Sequence, residues 1–163
     1  MGFQSIDEIE KFSFEDCKID KFQVKENQIC MELEALIVKP DNSQNTNYTE
    51  SYAATTTVKF AKGKILSGMK DGYKYYDAND VLQKEVPDEP LTEEQLKEFP
   101  ISCEGAYLFS MEKLRQENDL YYYELSIEFG DEEDNSVADS YRLQICFEKA
   151  VFTWEEYLNR VQR

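Results

Sequence analysis

Alternation of apolar and polar residues with a period of two runs through most of this chain, and it limits the available folds more than any other feature. Around residues 29–37, Ile29, Met31, Leu33, Ala35 and Ile37 fall on one side and Glu32 and Glu34 on the other. Over 120–129, Tyr121, Tyr123, Leu125, Ile127 and Phe129 oppose Tyr122, Glu124, Ser126 and Glu128. Residues 141–147 repeat the pattern with Tyr141, Leu143, Ile145 and Phe147. Successive side chains of a strand point to opposite faces, so each segment reads as a strand with one buried face.

Further strands are expected on both sides of these. Phe22 and Val24 lead through a turn at Glu26-Asn27-Gln28 into the 29–37 strand. Residues 48–60 are rich in Thr, Tyr and Val, which suit a pleated surface. Tyr73 to Tyr76 and Val81-Leu82 frame the turn 77–80 as a short hairpin, and residues 106–113 alternate with Tyr107, Phe109 and Met111 on one side. Residues 39–47 form a polar loop.

Helix signals are few. Thr92-Glu93-Glu94-Gln95 fits a capping box, and Pro100 ends the helical segment it opens, so a helix is expected over 92–99. Thr153-Trp154-Glu155-Glu156 has the same form and predicts a C-terminal helix over 154–162. Ile6 and Ile9 suggest a short helix over 5–12. With no βαβ alternation and short connections, the reading is an α+β, mainly antiparallel β protein. Its roughly eight or nine strands would form a strongly bent sheet, a barrel or a sandwich. A chain of 163 residues is expected to make one globular domain, 1–163, burying about 70% of its unfolded surface.

Charge is the second constraint. The chain carries 34 acidic and 18 basic residues, no histidine, and a net charge of −16. The excess is one-sided, because residues 85–156 hold 20 acidic and 5 basic residues, whereas 1–84 hold 14 and 11. The 41% hydrophobic content rules out a disordered acidic tail. Nucleic acid is disfavoured as a ligand, since polyanion binding requires Lys and Arg to neutralise phosphates. The opening Met1-Gly2-Phe3-Gln4-Ser5-Ile6-Asp7-Glu8 lacks the basic and apolar regions of a secretion signal, and no apolar run is long enough to span a membrane. A cytoplasmic location and no membrane partner are therefore expected. Cys17, Cys30, Cys103 and Cys146 form no C-x-x-C pair and read as reduced thiols.

Enzyme motifs are absent. Without histidine the usual triads lack their base, and no phosphate-cradling glycine loop or nucleophile elbow occurs. Residues 130–136 and 77–80 are oxygen-rich but lack calcium-loop spacing, and read as polar turns. No catalytic residue, cofactor or metal is expected. The remaining candidate is the acidic surface itself: Tyr122, Glu124 and Glu128 on the outward side of one strand, continued by Asp131, Glu132, Glu133 and Asp134. Carboxylates beside an aromatic side chain steer and anchor a basic protein partner. The leading expectation is thus a small acidic binding protein of the inhibitor or immunity type, masking a basic partner such as a nuclease toxin. A β-barrel carrier of a small molecule, with inward Tyr and Phe lining its cavity, is the alternative. A carboxylate-dependent enzyme is the third reading.

Overall fold

A computed structural model describes residues 2–130 and 139–162. The chain begins with β1 (Phe3–Ile6), a single 3-10 turn (Ile9–Lys11), β2 (Phe12–Ser13), β3 (Lys18–Lys25), β4 (Gln28–Glu34) and β5 (Ile37–Val38). It continues through β6 (Ser51–Ala53), β7 (Thr56–Ala61), β8 (Lys64–Lys70), β9 (Tyr73–Tyr76), β10 (Leu82–Val86) and β11 (Glu89–Pro90). Helix α1 (Glu93–Ser102) precedes β12 (Tyr107–Glu117), β13 (Leu120–Phe129), β14 (Asp139–Phe147), β15 (Lys149–Trp154) and β16 (Tyr157–Arg160).

Ten strands form one sheet in the order β1-β15-β7-β4-β3-β12-β13-β14-β8-β11. Its strand pairs are all antiparallel. The fold is therefore α+β and mainly antiparallel, and the sheet is open, ending at β1 and β11. Two consecutive strand pairs cross it. β7 and β8 are joined by two residues, and β14 and β15 by Glu148, yet each pair lies in opposite halves of the order. The sheet therefore doubles over, with β1, β15, β7, β4 and β3 in one half and β12, β13, β14, β8 and β11 in the other. The seam is narrow: Tyr107 pairs with Lys18, the Ile19 N–H donates to the Ala106 carbonyl, and the Leu108 N–H to that of Cys17.

The inward residues of both halves meet in one core. Ile29, Met31, Leu33, Phe60 and Phe152 come from the first half, and Leu108, Leu125, Ile127, Leu143, Ile145 and Phe147 from the second. Phe60 and Phe147 touch across the fold with ring centroids 4.7 Å apart. Burying side chains of this size contributes about 1.5–3 kcal/mol each, the dominant favourable term in folding. A four-stranded sheet, β16-β6-β5-β2, adds Phe12, Val38 and Ala53 to the same core.

Local chemistry explains the turns. Asn118 and Asp119 both have positive φ, 52° and 65°, between β12 and β13. That is the backbone a two-residue type I′ hairpin demands, and Asn and Asp tolerate it. Thr92 caps α1 as predicted: its side chain accepts from the Gln95 N–H, while the Gln95 side chain accepts from the Thr92 N–H. The helix runs past Pro100 to Ser102, three residues beyond the expected stop. Phe99 anchors it at the core against Phe129 and Tyr141.

The other two expected helices are strands. Residues 3–6 pair with β15, which buries Ser5, and only Ile9–Lys11 makes a helical turn. At the other end Thr153 and Trp154 belong to β15, and Tyr157–Arg160 pairs with β6. Trp154 is buried against Phe3, Phe12 and Tyr157. A capping box does not prevail over a strand whose alternate residues are already in the core.

Candidate protein-interaction face

The outward side of β12, β13 and β14 carries the residues singled out from the sequence. Glu124 lies opposite Glu112 on β12 and Gln144 on β14; Glu128 lies opposite Tyr107 and Ser140; Tyr122 lies opposite Arg115 and Cys146. Alternation along β13 is as expected, with Tyr123, Leu125 and Ile127 buried on the other side. The structure thus brings Tyr122, Glu124 and Glu128 onto one face. Asp131, Glu132, Glu133 and Asp134 lie outside the described residues.

Two carboxylates directly opposed across a strand pair are unfavourable by several tenths to about 1 kcal/mol. The Glu112 side chain has no hydrogen-bond or ion-pair partner among the described residues. Glu124 accepts a long hydrogen bond, 3.4 Å, from Gln144 Nε2. The nearby cations are committed elsewhere. Arg142 Nε bonds Asp71 at 2.6 Å and its Nη2 bonds Asp88 at 2.9 Å, leaving Glu124 only its more distant field. The Asp71 hydrogen bond, first among the causes, holds the Arg142 guanidinium above its ordinary pKa. Arg115 pairs with Glu117 at 3.2 Å and covers the Tyr122 ring, 4.0 Å from its centroid. Tyr122 is therefore less open as an anchor than the sequence implies.

A different aromatic pair takes that place. A bulge between Leu108 and Ser110 breaks the expected run of Tyr107, Phe109 and Met111 on one side. Leu108 turns into the core, and Tyr107 and Phe109 are 36% and 43% exposed with their rings stacked at 6.2 Å. Bulges re-aim side chains in this way. Tyr107 and Phe109 were missed because alternation is counted without bulges.

Arg142 also fixes the hairpin beside this face. Asp71 and Asp88 flank the β9–β10 hairpin, so one guanidinium fastens both of its legs to β14. A Cβ at Gly72 would sit 1.9 Å from the Val86 carbonyl oxygen, so only glycine permits this close approach of the legs. Asp77, in one of the oxygen-rich turns, directs its oxygens to the Asn79 and Val81 N–H groups and the Gln83 amide.

Burial, and then Glu34, raise the Asp20 carboxyl above its ordinary value. Asp20 and Glu34 lie near the β3–β12 seam and line neither of two surface clefts among the described residues. Cys17 and Cys103 are buried with no disulfide partner, and burial pushes the Cys103 thiol up to about 12, far from a reactive thiolate. Those two clefts, about 480 and 600 Å³, open on the surface and are not lined by the inward core aromatics. No helix among the described residues is long and apolar enough to cross a membrane. Comparison with known proteins finds no matching family model, no matching characterised sequence and no matching solved structure.

Proposed function

We propose that the β12–β13–β14 face binds a basic protein partner and masks it. The case we favour is an inhibitor or immunity-type protein that covers the cationic active site of a nucleic-acid-cleaving toxin. One observation carries this reading: Glu112 and Glu124 oppose each other, with Glu128 nearby, while the neighbouring arginines are engaged by other groups. A cationic partner would relieve that repulsion on binding, and the exposed Tyr107–Phe109 stack would supply apolar contact area beside it.

The test is photo-crosslinking from position 109 in the native host, followed by kinetics with the captured protein. A basic protein should be captured, and its association rate should fall at least about tenfold between low salt and roughly 0.5 M salt. The double variant Glu112→Lys, Glu124→Lys should slow association by a similar factor at low salt. Capture of acidic proteins alone, or an association rate indifferent to salt and to the double variant, would reject the proposal.

A further inference from the structure

The second of these two surface clefts shares Leu66, Glu93 and Leu96 with a smaller one that Glu124, Arg142 and Gln144 line, yet it has the opposite electrostatic character. It is bounded by the tip of the β3–β4 hairpin, the β7–β8 corner and one side of α1, and its volume is about 600 Å³. Small-molecule sites commonly measure about 300–1,000 Å³. Its apolar surface comes from Val24, Ile65, Leu66 and Leu96. Val24 and Leu66 are 47% and 44% exposed. Scattered apolar side chains on a surface are ordinary, but four converging on one concavity are not.

Three ammonium groups surround this apolar floor. Lys25, Lys64 and Lys97 come from the three bounding elements, against the single carboxylate of Glu93. None of the three lysines has a carboxylate within 4.0 Å among the described residues. In a chain with nearly twice as many acids as bases, an excess of unpaired cations around one cleft is a local reversal of the overall charge. Lysine suits such a rim, because its methylene stem lies along apolar surface while the charge stays in water.

We infer that this cleft binds an amphiphilic anion, a small ligand with an apolar tail and a carboxylate-like head. The tail lies on Val24, Ile65, Leu66 and Leu96, and the head sits among Lys25, Lys64 and Lys97. A neutral apolar ligand would leave the lysines unused, and a cationic one would be repelled. This inference does not depend on the partner-binding face, which lies on other residues.

Titration with decanoate, followed through the methyl resonances of Val, Leu and Ile, tests it. Saturable shifts are expected at Val24, Ile65, Leu66 and Leu96. Decan-1-ol, with the same tail and no charge, should bind at least about tenfold more weakly. The variant Lys64→Gln, Lys97→Gln replaces exposed side chains; it should weaken decanoate about tenfold and leave decanol unchanged. Shifts that do not saturate or fall elsewhere would overturn the inference, as would equal binding of acid and alcohol or indifference to the double variant. Methyl shifts that track protein concentration without added ligand would overturn it too, showing the cleft to be covered by a second copy.

Discussion

The two halves of the folded sheet share an interior and differ in what they show outside. On the first half, strand pairing sets Lys18 opposite Glu34 and Lys21 opposite Glu32, the latter an ion pair of 3.8 Å. On the second half it sets Glu112 opposite Glu124 and Tyr107 opposite Glu128. The inward sides are alike, with Ile29, Met31 and Leu33 on one and Leu125 and Ile127 on the other, all fully buried. Inward residues decide that a segment is a strand and which way it faces. Outward residues contribute little to that decision, so one half can set opposite charges across a strand pair and the other two carboxylates, Glu112 and Glu124. Surface ion pairs contribute only about 0–1 kcal/mol each, which is why this difference is tolerated.

The comparison can be broken most decisively from the inside. Phe152→Ala in the first half should cost about 3–5 kcal/mol and Leu125→Ala in the second about 2–5 kcal/mol, read as a shift of the denaturant midpoint. If either variant lost less than about 1 kcal/mol, the shared core would be the wrong description of the fold.

Charge reversal sharpens the outside. Glu112→Lys places opposite charges across β12 and β13, and should stabilise the protein by about 0.2–1 kcal/mol. Glu32→Lys sets two lysines against each other on β3 and β4 and should destabilise it by a similar amount. Equal signs for the two reversals in thermal unfolding would erase the distinction between the halves.

The smallest effect belongs to Asp20. Its folded-state pKa is raised, by burial first and by Glu34 next, so between the ordinary and the raised value the folded protein holds more of this proton than the unfolded chain. The folded state is therefore penalised as pH rises from the ordinary carboxylate value through the raised one, and below both values the penalty is gone. Asp20→Asn should unfold like the parent at low pH and be more stable than it at pH 7. A difference that stays constant from pH 3 to pH 7 would refute this assignment of the raised group.

How far the sequence could be read depended on how local each signal is. The 120–129 strand and its outward Tyr122, Glu124 and Glu128 were legible because side-chain direction in a strand depends only on counting by two. The capping box at Thr92 was legible because all its partners lie within three residues. The same four-residue pattern at Thr153 misled, because β7 and β1 flank residues 149–154 from opposite sides, and pairing with them is not visible locally. The polar loop 39–47 looked ordinary, yet Asn45 Nδ2 donates to the carbonyls of Val38, Lys39 and Thr49. Burial alone would raise the Glu8 carboxyl, but hydrogen bonds from Ser43 and Ser5 outweigh it and hold that group below its ordinary value.

By itself, the sequence determined that this is an antiparallel β protein with an acidic second half, since periodicity and charge are properties of the chain. Only the tertiary structure decided that the sheet folds over as an open pair of halves, because that depends on which strands meet across long separations. It also decided that Tyr107 and Phe109 face outward through a bulge, and that Glu112 stands against Glu124 while Arg142 is held by Asp71 and Asp88. The cleft ringed by Lys25, Lys64 and Lys97 belongs to the same class, for its three cations lie on three separate elements and become neighbours only on folding.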